Sequence, residues 1–138
     1  MRHQKTECGQ ALVEAVLVLI VFLITLIGLF DMAQMLFLHS YLEDRARRGA
    51  RFAAVQNPFD AAKIQNVVVY GTAEPPDGAS GSFGLTPANV LVNRAGAGTS
   101  ASRVTVQITN FQFRFFTPYL AGLRTGRPIT ASTPYEEP

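Results

Sequence analysis

Residues 11–30 read ALVEAVLVLIVFLITLIGLF, apolar on every side of a helix, with Glu14 as the only charge. Twenty such residues make a helix about 30 Å long, the thickness of a bilayer's hydrocarbon core. A surface helix of a soluble protein carries an apolar stripe, and this segment has none. A chain of 138 residues could hardly wrap such a helix in protein, so the pattern predicts a membrane span. A cleaved secretory signal would need a shorter apolar core and then a small-x-small site. The following DMAQMLFLHSYLEDR offers no such site. A lipoprotein signal fails too, because Cys8 precedes the apolar run. The segment reads as a retained anchor.

The helical pattern continues over 31–55, without Pro and without Gly until Gly49. One face carries Asp44, Arg47, Arg48 and Arg51, with Glu43–Arg47 and Asp44–Arg48 spaced as i,i+4 pairs. The acid lies N-terminal in both, the better orientation, and a solvated, self-compensating face is the simpler reading. A basic rim for anionic lipid or an acidic neighbour is the alternative. Another face is built from Met35, Leu42, Ala46, Gly49, Ala50 and Ala53. It becomes small toward its end, where a second backbone can come close. Either a sheet or a neighbouring subunit would use it. Asn57-Pro58 then stops the helix.

Residues 56–138 form a second region. IQNVVVY at 64–70 is rich in β-branched residues and predicts a strand. Residues 71–87 hold Pro75-Pro76 and Asp77-Gly78 and predict a long loop. A short strand is expected at 90–92, and a clean alternation at 103–109 puts Val104, Val106 and Ile108 on one face. Phe111, Phe113 and Phe115 take the opposite parity, so a bulge or bend near Asn110 would turn both sets to one core. One helical turn is expected at 117–123 and a last strand at 129–133. The fold class is therefore α+β: a long N-terminal transmembrane α-helix continuing into a small antiparallel β-sheet domain.

Composition narrows the chemistry. Apolar residues make up 48% and charged residues 16%, and the apolar excess sits in the first quarter of the chain. Twelve basic against ten acidic residues give a net charge of +2, too small for a nucleic-acid binder. One cysteine excludes an internal disulfide, and His3 and His39 lie outside any metal-ligand spacing, so no metal or cofactor is expected. The glycines of GTAEPPDGASGSFG lack the Gly-Lys-Ser/Thr that a phosphate loop needs. No histidine lies in the C-terminal region to activate a serine, so no catalytic residue is assigned. An enzyme is not expected.

The informative stretch is Glu7-Cys8-Gly9-Gln10-Ala11-Leu12-Val13-Glu14. A short polar leader ends in Gly9, and an acid follows five residues later inside the apolar helix. A carboxylate there is costly in lipid and needs a partner. This arrangement resembles the class III, type IV pilin-like prepilin signal. The longer stretch from Gly9 to Val55, with GQALVE at one end and RGARFAA at the other, resembles TadE-like proteins, the pseudopilins of the Tad (Flp) pilus system. RPITASTPYEEP resembles the family's C-terminal pattern more loosely. Ala15 after Glu14, where the short major Flp pilins carry a Glu-Tyr pair, points to a minor pilin or pseudopilin.

The resemblance implies that a prepilin peptidase cuts between Gly9 and Gln10, and that Glu14, then the fifth residue, guides subunit assembly. It implies a leader at 1–9, a span at 10–30, a helix extension at 31–55 and a small β-rich extracytoplasmic domain at 56–138. The partners implied are the peptidase, other pilin-like subunits, the assembly platform and membrane lipid, at the cytoplasmic (inner) membrane. Ala46, Gly49, Ala50 and Ala53 stand as the packing face. Basic residues leave topology open: Arg2 and Lys5 precede the span, and Arg45, Arg47, Arg48 and Arg51 follow it. Two alternatives stand beside this reading: an uncleaved single-pass anchor for a small binding domain, and a type II secretion pseudopilin.

Overall fold

Helix α1 runs unbroken over Gln4–Val55, 52 residues, or about 78 Å of axis. Leu and Ala, both strong helix formers, are its commonest residues, and it holds no proline. The computed structural model describes residues 4–97, 99, 101–113 and 124–135. Two environments divide α1. Its most apolar window, with a mean hydropathy of 3.0, has none of its residues buried within the protein. From Leu38 onward a stripe at i, i+4 spacing goes under: Leu42, Ala46, Ala50 and then Ala53 are all at 0% exposure. The lower half faces its surroundings, and one stripe of the upper half enters the core.

Helix α2 covers Ala61–Tyr70, where the β-branched run predicts a strand. The strand expectation is wrong for a physical reason. Asp60 caps the helix, its carboxylate accepting from the N–H groups of Ala62 (2.9 Å) and Lys63 (3.3 Å). Gly71 closes the other end at φ 87, and its N–H donates to the carbonyl of Val67. That left-handed cap is the conformation glycine adopts without a Cβ penalty. Ile64 and Val68, one turn apart, are buried together with Val69. Caps and burial outweigh the modest β preference of valine.

A three-stranded antiparallel sheet follows in the order β1-β2-β5, with β1 at Val90–Ala95, β2 at Arg103–Ile108 and β5 at Ile129–Pro134. Two short strands, β3 at Gln112–Phe113 and β4 at Arg124–Thr125, pair separately. In the central strand Val104, Val106 and Ile108 are fully buried, each contributing about 1.5–3 kcal/mol of burial. The register sets Val106 between Val92 and Ala131, and Ile108 between Val90 and Ile129. This face lies on α1, and α2 fills the remaining side beside β1. The architecture is α+β: one long apolar helix, then a three-stranded antiparallel sheet.

The bend after β2 is real. Asn110 sits in the left-handed region at φ 54, and Phe111 turns back into the core at 8% exposure. The Phe113 side chain, Phe115 and the expected turn at 117–123 lie outside the described residues. The segment at 71–87 is less plain than a loop: it carries one 3-10 turn at Ser82–Gly84 and leads into a second at Pro87–Asn89. Leu85 between them is buried. Met35, grouped by spacing with the packing face, is 44% exposed, because the buried stripe starts only at Leu38.

At the far end of the sheet Tyr135 closes the structure. Its hydroxyl donates to the carbonyl of Gln56 (2.8 Å), and its N–H donates to the carbonyl of Ser102 (2.9 Å). The Arg94 guanidinium stacks 3.8 Å from the Tyr135 ring and 5.9 Å from that of Phe59. Strand, helix end and C-terminal segment are thereby tied together.

The tightest approach is at Gly49. A Cβ there would run into Cγ2 of Val68 and stand 3.7 Å from Cγ1 of Val106. Gly49→Leu should therefore lower the stability of the head by about 1–3 kcal/mol, the usual cost of overpacking. Urea unfolding in detergent, followed by near-ultraviolet circular dichroism of the tyrosines, measures it. An unchanged midpoint would show that α1 and α2 are not in close contact there.

Candidate processing and assembly segment

Gly9 lies inside α1, five residues past the first described helical residue, with no tertiary structure over it. A Cβ at Gly9 would meet nothing within 4 Å. Nothing in the fold therefore demands glycine at this position. Gln10 and Glu14 are exposed on the same helix, one turn apart. Their axial separation is about 6 Å. Glu14 borders a shallow depression in the helix surface shaped by Ala11, Ala15, Val18, Leu19 and Phe22.

Ala46, Gly49, Ala50 and Ala53 lie more than 30 residues further along α1 and are all buried within the chain itself. The structure therefore separates the residues singled out by sequence into two groups. Gly9, Gln10 and Glu14 stand together on bare helix; the small residues hold the head. The small stripe is occupied by the sheet and α2, which leaves it no free surface for a neighbour.

The charged face of α1 is also placed. Arg48 meets Asp44 at 2.8 Å and Arg47 meets Glu43 at 3.2 Å, with His39 at 3.3 Å from the same Glu43. All these side chains are at least 39% exposed. Pairs of this kind contribute only about 0.3–0.5 kcal/mol each. They make a solvated face. Arg51 is exposed beside them. Among the described residues no group of three or more His, Cys, Asp or Glu is gathered that would hold a metal.

Sequence reasoning missed an aromatic group. Phe37, Tyr41 and Arg45 follow one another at i+4 spacing on α1, and Phe83 packs edge-on against both rings, at 6.4 Å from Phe37 and 5.3 Å from Tyr41. Arg45 donates to the Tyr41 hydroxyl from Nε (2.9 Å) and Nη2 (2.7 Å). The helical spacing of the first three is legible in the sequence. The arrival of Phe83 from 42 residues away is not.

A long exposed apolar helix that ends in a small α+β head defines a membrane anchor bearing a C-terminal domain. Residues 9–51 match the family described as TadE-like protein. The match starts at Gly9 and ends in the Arg48-Gly49-Ala50-Arg51 segment. No curated protein and no solved structure matches the chain.

Proposed function

We propose that the chain is a minor pilin or pseudopilin of a Tad-type pilus, made as a precursor and cut after Gly9. One observation carries this reading: the family match begins at the glycine that separates a short polar leader from an exposed apolar helix. A peptidase working at the cytoplasmic membrane face reaches such a leader because nothing packs over Gly9. The head then lies beyond the membrane, where it meets other subunits and the assembly platform. The protein acts as a structural subunit, with membrane lipid as its first environment.

Glu14 has its own part in this reading. Cleavage frees an α-amino group on Gln10, a positive charge at the start of the span. A subunit displaced along the axis brings its amine beside the Glu14 of a neighbour, where each charge compensates the other in lipid. The cost removed is at most the about 2.5–3.5 kcal/mol of an acid at mid-span, and smaller near the boundary.

Three outcomes test the proposal. Gly9→Val crowds a cleavage site that accepts only glycine, so the variant should accumulate as a precursor heavier by nine residues, while the mature wild type begins at Gln10 on N-terminal sequencing. Equal mobility of the two in cells containing the peptidase would leave an uncleaved anchor as the correct description. Glu14→Ala should insert and be cut normally but crosslink to other pilin-like subunits several-fold less; wild-type crosslinking and pilus-dependent adhesion would rule the role out. A reporter fused after Pro138 should be active only outside the cytoplasm. Cytoplasmic activity would overturn the topology.

A further inference from the structure

The exposed apolar surface of α1 does not stop where the span is expected to end. Met32, Met35, Leu36 and Phe37 continue it at 44–64% exposure, past a buried Asp31 and an exposed Gln34, and the next exposed titratable side chain after Glu14 is His39. From Leu12 to Phe37 the axis measures about 38 Å, more than the hydrocarbon core of about 30 Å but within the 40–45 Å that includes the headgroup layers. With Glu14 at one boundary, Phe37 falls in the headgroup layer at the other.

At that level the head contributes Phe83. The residue is 55% exposed and adopts φ 56, ψ 29, a left-handed conformation that is unfavourable for a bulky side chain. The turn is held from both sides. Leu85 is buried, its N–H donates to the carbonyl of Ser82 (3.1 Å), and Gly81 lies so close to the Leu85 carbonyl that any Cβ would collide. A core-anchored turn thus pushes an aromatic ring outward at a conformational cost, a pattern found where a side chain has a task. The rings of Phe83, Phe37 and Tyr41 meet edge to face, and Arg45 caps them on the head side. Apolar ring, amphipathic ring and cation succeed one another outward, the order of a membrane interface.

We propose that Phe37 and Phe83 form an aromatic foot that seats the head on the headgroup layer of the membrane. The inference rests on the reading of α1 as a membrane anchor. Its occupant is lipid, because the patch is continuous with the exposed face of the span. The foot fixes the height and tilt of the head while the subunit resides in the membrane.

The chain contains no tryptophan, so Phe83→Trp supplies a single reporter. Full-length protein is reconstituted at high lipid excess in phosphatidylcholine–phosphatidylglycerol vesicles, and flotation with alkaline extraction establishes insertion. Val55→Trp, at a site 70% exposed and about 27 Å further along α1 than Phe37, serves as the reference. The indole of Phe83→Trp should be quenched by bromolipid at least twofold more than that of Val55→Trp, and should be severalfold less accessible to acrylamide. Phe37→Trp should behave as Phe83→Trp does, which covers the case of a disturbed turn at position 83. Chains that fail to float overturn the anchor reading and the foot with it. Inserted chains in which the reporters at positions 83 and 37 are quenched no more than the one at position 55 overturn the foot alone. Protection without bromolipid quenching, growing with the protein-to-lipid ratio, would mean that a second copy covers the patch, and would also overturn it.

Discussion

One helix has to satisfy two solvents, and the rest of the structure follows from that constraint. Over its first half α1 exposes alkyl side chains in every direction, which only lipid or other apolar helices accept at low cost. Over its second half the same helix must be amphipathic, because a small sheet needs a surface to close on. The change is made without a break in the backbone: Leu38 starts the buried stripe and Ala53 nearly ends it. Between them the side chains shrink from leucine to alanine and glycine. That taper lets β2 and α2 come close enough to seal a core in a head that is small by any standard.

The head depends on the helix more than the helix on the head. Leu38, Leu42, Ala46, Ala50 and Ala53 form one wall of a core whose other walls are Ile64, Val68 and Val69 of α2 and Val104, Val106 and Ile108 of β2. Without the α1 wall, the inner face of the sheet would be left to water. A three-stranded sheet with one exposed apolar face has little independent stability. The Tyr135 clasp reinforces the same dependence, since its hydroxyl bond reaches the Gln56 carbonyl immediately after α1 ends.

How legible the structure is in the sequence varies with the range of the determining interaction. The apolar run at 11–30 and the alternation at 103–109 are read directly, because each is one local period. The taper of α1 is visible as small residues at helical spacing, although spacing alone also draws in Met35, which lies below the height of the sheet. Helix α2 escapes a reading by composition because three consecutive valines outweigh the caps: Asp60 before the run and Gly71 after it are the start and stop signals that identify it. Arg94, an ordinary charge at an alternating strand position, lies against Tyr135 and Phe59 through contacts 41 and 35 residues away. No local pattern encodes such a pairing. Among the candidate site residues, Gly9, Gln10 and Glu14 stand out only by their spacing along one exposed helix, and tertiary structure adds nothing to the role proposed for them.

The two halves of α1 would make the proposed cut after Gly9 compatible with the fold of the head. Every apolar core residue among those described lies at Leu38 or beyond, about 43 Å along the axis from Gly9 by the rise of about 1.5 Å per residue. A cut after Gly9 shortens a helix end that carries no part of the head's core. Its thermodynamic effect is confined to the terminus: one new positive charge and a new set of unpaired N–H groups, both at the positive end of the helix dipole. An amine there is disfavoured by its own helix. An acid from outside relieves both penalties at once, and within residues 11–30 the only acid is Glu14. On the proposed reading, the amine of a shortened helix and the Glu14 of a neighbouring chain would each supply the charge that the other lacks in lipid.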